Sequence, residues 1–222
     1  MKLTLTDAFD KEGKLKYPKN RAVNKIGHSL HTHSPFTSLT APPPPLDVLA
    51  NPLSPKYLVQ CVPPTPTIAK SLSFKHPEIL QSMIILKQPS IGGAVPPHQD
   101  STFLYTNPPS AVGFWFALED ATENNGCLYM LRGSHKWAPI TKRFVRKADN
   151  SGTEFVPNDG PQFPAGLEKV EEPKEQVYEP CPVAKGSLVL IHGNVLHKSS
   201  KNISDKSRVA YTFHVIEGKE DG

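Results

Sequence analysis

The chain has 222 residues, 37% of them hydrophobic and 21% charged, with 24 prolines and 14 glycines. This is enough for one sizeable core and too apolar for a disordered polypeptide. The net charge of +4 comes from lysines and arginines scattered among acids, which excludes the concentrated basic stripe that nucleic-acid phosphates require. Cys61, Cys127 and Cys181 are far apart and odd in number, so neither a disulfide framework nor a zinc-thiolate site is expected.

Residues 1–20 are polar, with Asp10-Lys11-Glu12-Gly13 as a turn signal and no signal-peptide-length apolar run. No stretch reaches the roughly 18 consecutive apolar residues of a membrane helix, and the C-terminus matches no peroxisomal tripeptide. A cytoplasmic protein is therefore the default expectation. Residues 22–30 read equally as a short helix or an extended segment, and on pattern alone Lys25 is a solvated lysine.

Nine prolines fall within 42–66. Each removes a donor and biases its predecessor to extended geometry, so neither a helix nor a central strand can continue there. This stretch is expected to be a loop insertion or a gene-model artefact; a PxxP ligand for an SH3-like partner is the weaker alternative. A short helix across Ala69–Phe74 and Pro77–Leu80 should lead into Gln81–Lys87, whose isoleucines favour a buried strand. Gly92-Gly93 and Pro96-Pro97 form a loop presenting His98 and Asp100. In extended backbone, residues i and i+2 share a side, so one segment can offer both ligands to one metal.

Strand signals then recur at short intervals: Phe103–Tyr105, Val112–Leu118, Cys127–Leu131, Gly186–Gly193 ending in a turn, Val195–His197 and Arg208–Val215. Asn124-Asn125-Gly126 and Arg132-Gly133-Ser134 punctuate them as turns. Gly133-Ser134-His135 reads as structural. Residues 140–180 are a long polar excursion expected to lie over the mouth of the domain. Many short strands without a long amphipathic helix predict a mainly β fold, an antiparallel barrel or jelly roll with a few flanking helices. One domain spanning 1–222 is expected.

The candidate chemistry lies in an ordered set: His98 and Asp100, His197 after 99 positions, and Arg208 eleven further on. Two imidazoles and a carboxylate can occupy one face of Fe(II) and leave positions open. A nearby guanidinium can grip a dicarboxylate cosubstrate through paired charge-assisted hydrogen bonds. An HxD pair by itself arises by chance. His192 and His214 could orient ligands, although a hydrogen-bonded structural histidine is the favoured reading of each.

The motifs HQD (98–100), GFWFALEDAT (113–122), NGCL (125–128), GSH (133–135), GSLV (186–189), His197 and Ser207-Arg208 resemble the phytanoyl-CoA dioxygenase family of iron- and 2-oxoglutarate-dependent oxygenases. The resemblance implies a double-stranded β-helix, cupin-like, with Fe(II) held by His98, Asp100 and His197. It implies 2-oxoglutarate paired with Arg208 and lined by Lys25, Met83, Trp115 and Ser199, with O2 as the second cosubstrate. The expected activity is hydroxylation of a small or lipid-like substrate, with 2-oxoglutarate decarboxylated to succinate. The alternative is a non-catalytic metal- or 2-oxoglutarate-binding protein of the same fold. Against that family the chain is also expected to be trimmed at both ends and to carry the proline stretch where relatives have a helix; oligomeric state is open.

Overall fold

A computed structural model describes residues 10–33, 36, 65–160 and 174–219. Two short helices, α1 (Lys19–Ala22) and α2 (Thr65–Ser71), accompany strands β1 (Lys25–His28), β2 (Pro77–Lys87), β3 (Val95–His98), β4 (Val112–Ala117), β5 (Leu128–Leu131), β6 (Lys142–Arg146) and β7 (Thr153–Pro157). Strands β8 (Tyr178–Cys181), β9 (Leu188–His192), β10 (His197–Ser199) and β11 (Arg208–Glu217) complete the set. A five-stranded sheet of order β1-β2-β11-β4-β9 packs with a four-stranded sheet of order β3-β10-β5-β8, and β6-β7 stand apart as a hairpin. Among the described residues these strands pair antiparallel throughout. This is the double-stranded β-helix implied by the family resemblance, an antiparallel two-sheet form of the barrel or jelly roll expected from the strand spacing.

The larger sheet is covered on both faces, which explains why β4 reads as an unbroken apolar run rather than an alternating one. Trp115 and Ala117 join Ile191, Ala210, Cys127 and Leu128 in the core between the two sheets. Phe114 and Phe116 point the other way, against Tyr211, Phe213, Val215 and Ala69 of α2. Phe114 and Phe213 stack with centroids 5.1 Å apart and planes 12° from parallel. Strand β11 thus sends Arg208, Ala210, Thr212 and His214 inward as Tyr211, Phe213 and Val215 go outward. Its register against β2 shifts between His214 and Val215, a bulge of the kind that re-aims a side chain beside a functional site.

One open segment is decided and three local expectations are corrected. Residues 25–28 of the undecided segment are a strand. Pro77–Leu80 extends β2 rather than forming a helix, because its backbone groups are taken by the β11 ladder. Phe103–Tyr105 is not a strand: a 3-10 turn over Asp100–Thr102 delivers Phe103, whose amide donates to the Asp100 carbonyl at 2.9 Å. The Val195–His197 strand is offset, with β10 running His197–Ser199. Of the proline-rich stretch, Thr65 and Pro66 open α2 and the remainder lies outside the described residues, as does Cys61. The 140–180 segment contains β6-β7 and the start of β8, with 161–173 outside the described residues. Among the described residues no helix is long and apolar enough to cross a membrane.

Candidate metal centre

His98 ends β3 and His197 opens β10, and the antiparallel register sets them directly opposite one another. Their rings lie 4.2 Å apart at 50°. Asp100 follows at the first position of the 3-10 turn. Its Oδ1 is 3.5 Å from His98 Nε2 and 3.7 Å from His197 Nε2. One donor atom from each of the three lies within 4.8 Å of the others.

The outer hydrogen bonds decide which atoms are free. His98 Nδ1 lies 2.9 Å from the Pro96 carbonyl, and His197 Nδ1 lies 3.1 Å from the Val195 carbonyl. A carbonyl only accepts, so each Nδ1 carries the proton and each Nε2 keeps its lone pair. In both cases the carbonyl belongs to the residue two positions earlier, so the tautomer is fixed by the local backbone. Asp100 Oδ2 is engaged by His214 Nε2 at 3.0 Å, which leaves Oδ1 facing the imidazoles.

The electrostatics follow from crowding these groups together. Burial opposes ionisation of Asp100, but the charges of His197 and His214, with hydrogen bonds from His214 and His98, hold it well below the usual carboxylate range. Burial also opposes charging of His98, yet its hydrogen bond to Asp100 and that carboxylate's charge leave its basicity raised. For the deeper His197, burial outweighs the pull of Asp100, and its basicity falls. The donors are thus a carboxylate and an imidazole pair suited to Fe(II).

Arg208, at the start of β11, is 2% exposed, and its Nε and Nη1 have no hydrogen-bond partner among the described residues. Its guanidinium lies 5.4 Å from the Trp115 ring centroid. A buried guanidinium with unused donors carries a large desolvation cost unless an anion meets it. Met83, Trp115 and Ser199 are buried, and Met83 and Trp115 are the two cross-strand neighbours of Thr212. Lys25 on β1 is half-buried, and burial lowers its basicity against the opposing pull of the Asp100 charge.

Three participants were not singled out by sequence, or were weighed against. His214 contacts Asp100 rather than serving only the scaffold; its period-two spacing from Arg208 on an inward strand face was the available signal. Gln81, the cross-strand partner of His214, lies 3.2 Å from its Nδ1. Lys87 is the cross-strand partner of Arg208 and is 3% exposed. It donates to the Ser200 carbonyl, and burial, reinforced by the Arg208 charge, lowers its pKa to about 7. His192 lies against His135, with ring centroids 5.0 Å apart.

A double-stranded β-helix with two histidines and one carboxylate converging on one point defines a class of metal-dependent protein. The chain belongs to the phytanoyl-CoA dioxygenase (PhyH) family, whose model matches residues 6–210. It is 42% identical to phytanoyl-CoA dioxygenase domain-containing protein 1 of Bos taurus, across 94% of this chain and 62% of that protein. It is 45% identical to the protein of that name from Danio rerio, across 95% of this chain and 63% of that one. The chain therefore spans less than two thirds of the length of these relatives. Among solved structures it resembles EvdO2 from Micromonospora carbonacea var. aurantiaca in complex with 2-oxoglutarate, with TM-score 0.53 and 22% identity, covering 89% of this chain and 68% of that one. It also resembles SnoK, a non-heme α-ketoglutarate-dependent carbocyclase, with TM-score 0.50 and 23% identity, over 73% of this chain and 58% of that one. These two likenesses establish the fold.

Proposed function

We propose that the protein is an Fe(II)- and 2-oxoglutarate-dependent dioxygenase that hydroxylates a C–H bond of a small or lipid-like substrate. The observation that carries this reading is the pairing of three convergent lone-pair donors, two of them on strands of the smaller sheet, with the buried, unpartnered donors of Arg208 on the inward face of the larger sheet. His98 Nε2, Asp100 Oδ1 and His197 Nε2 would hold the iron. Arg208 would take the far carboxylate of 2-oxoglutarate, with Met83, Trp115, Ser199 and Lys25 lining the cosubstrate's seat.

When bound, iron and 2-oxoglutarate supply with O2 an oxidant able to take hydrogen from a C–H bond and return hydroxyl, the cosubstrate leaving as succinate and carbon dioxide. The chain's own contribution is placement. Its carbonyl-fixed imidazoles hold the ligand set with little reorganisation. Trp115 lies against the Arg208 guanidinium and excludes water from that side, and in such a low-dielectric setting its attraction for a carboxylate is strengthened. Phe103 lies against His98 at 6.0 Å and packs with Phe144 and Phe155 of the β6-β7 hairpin at 5.8 and 5.7 Å. This aromatic wall beside a metal ligand suits the apolar part of a substrate.

Anaerobic addition of Fe(II) and 2-oxoglutarate should give a weak visible metal-to-ligand charge-transfer band that His98→Ala abolishes. In air the same mixture should convert 2-oxoglutarate to succinate. A folded protein that shows no band overturns the assignment. A band without succinate formation, across a panel of apolar substrates, identifies the non-catalytic binder instead.

A further inference from the structure

A hydrogen-bonded line crosses the larger sheet from an exposed edge strand to the carboxylate. His28 Nδ1 lies 2.7 Å from Gln81 Oε1, Gln81 Nε2 lies 3.2 Å from His214 Nδ1, and His214 Nε2 lies 3.0 Å from Asp100 Oδ2. These groups sit on β1, β2 and β11, neighbouring strands in that order. The bulge immediately after His214 interrupts the β2-β11 register at this point.

We propose that His214 is a positioning residue that holds Asp100 as a one-oxygen ligand, and that Gln81, itself held by His28, keeps His214 in the Nε2–H form that does so. The inference rests on the metal assignment above, and turnover is not needed to test it.

With the Gln81 amide placed as the structure has it, the hydrogen-bond roles run in one direction for uncharged rings. A side-chain amide has one accepting end and one donating end. With Oε1 accepting from His28 Nδ1–H, Gln81 offers an N–H to His214 Nδ1, which must then be the acceptor. His214 therefore carries its proton on Nε2 and donates it to Asp100 Oδ2. With the amide reversed, Gln81 would demand an Nδ1–H on His214. An uncharged ring would then aim a lone pair at the carboxylate, a repulsive contact in a buried site. The consequence reaches the metal through the carboxylate. An oxygen already accepting from His214 is withdrawn from two-oxygen chelation, and Oδ1 alone faces the imidazoles at 3.5 and 3.7 Å. One-oxygen binding keeps Asp100 from occupying a second position on the metal, where 2-oxoglutarate would otherwise have to displace it.

Gly113 belongs to the same arrangement. It pairs with His214 across β4 and β11, and a Cβ there would stand 3.3 Å from His214 Nε2 and 3.4 Å from Asp100 Oδ2. The absent side chain leaves room for the His214–Asp100 contact.

The test is Co(II) binding to metal-free protein without 2-oxoglutarate, followed by calorimetry and the cobalt visible spectrum, with metal-free thermal midpoints measured in parallel. His214→Phe should weaken Co(II) about 10–100-fold, the range typical for loss of an outer partner of a metal ligand, and alter the cobalt spectrum. His214→Gln, which can present an N–H near the same place, should recover most of that loss. Gln81→Leu should cause a smaller loss in the same direction. A merely structural histidine would lower the metal-free midpoint while leaving Co(II) affinity unchanged, and that result in His214→Phe and Gln81→Leu overturns the proposal. Should His214→Phe fail to fold, Gly113→Ala, which crowds the same contact, takes its place with the same expected loss. Asp100→Ala serves as the control: if it binds Co(II) as tightly as the unaltered protein, the metal assignment itself fails, whereas a loss there with none at His214 and Gln81 removes only this proposal.

Discussion

The residue with most at stake is Arg208, because its buried guanidinium has donors with no partner in the described protein. Arg208→Met should raise the KM for 2-oxoglutarate about 10–150-fold, matching the roughly 1.5–3 kcal/mol of a hydrogen bond to a charged group. Metal affinity measured without cosubstrate should stay unchanged. Arg208→Lys should fall between the two, since an ammonium keeps the charge and loses the two-pronged fit. Its neighbour Lys87 makes a separate prediction about pH. A lysine ordinarily near 10.5 that sits at about 7 in the folded protein binds a proton more weakly folded than unfolded. Between those values the unfolded chain holds the extra proton, so stability rises with pH across roughly 7 to 10. The destabilising contribution is fully present below about 7 and relieved as pH climbs. Chemical denaturation should show a gain of a few kcal/mol over that window, and Lys87→Met should lack the slope. Its absolute stability is a poorer guide, because the variant also loses the bond to the Ser200 carbonyl.

At the scale of elements, β1 is the piece whose attachment matters most to the site, because it is an edge strand holding Lys25. Gly27 lies where β1 meets β2 most closely: a Cβ there would fall 2.7 Å from Met83 Cβ and 2.7 Å from the Ser82 carbonyl. The carbonyl belongs to the ladder and cannot step aside. Gly27→Ala should therefore displace β1 with Lys25, raising the KM for 2-oxoglutarate while Co(II) still binds through His98, Asp100 and His197. The core strands respond differently. Phe213→Ala, in a stack with no exposure, should cost about 3–5 kcal/mol of stability with the ligand geometry of the surviving fold intact, read by denaturant unfolding. Apolar runs bounded by turn residues made β4, β5 and β9 legible in the sequence, and period-two alternation did so for β11, along with the histidines at strand ends. Edge and junction segments were not legible. Lys25–His28 has no alternation because an exposed edge strand needs none, and Pro77–Leu80 is extended only because β11 supplies its partners. Gln81 and Lys87 were hidden inside an apolar run whose polar members looked like interruptions. Only the register against β11 shows that they face His214 and Arg208.

For the molecule as a whole, the ligand set and the guanidinium lie on separate structural units. His98 and His197 belong to the smaller sheet, and Arg208 to the larger one. The two are joined by the core of Trp115, Ala117, Cys127, Leu128, Ile191 and Ala210. A ligand that spans both should therefore stabilise the packing between them, beyond what the metal does locally. Anything bound only by the native state adds RT ln(1 + [L]/Kd), about 2.7 kcal/mol at a hundredfold excess over Kd. For a chain of this length that corresponds to a rise of roughly 5–10 °C in thermal midpoint. Co(II) alone should give a rise of this size, and Asp100→Ala should abolish it. 2-Oxoglutarate alone reaches only the Arg208 half of its seat and should shift the midpoint little. Added with Co(II), it should bring the combined rise above the sum of the separate effects, an excess that disappears in Arg208→Met, which still responds to Co(II). Strict additivity of the two shifts would mean that metal and cosubstrate occupy independent sites, and the sheets would then not be bridged through one ligand.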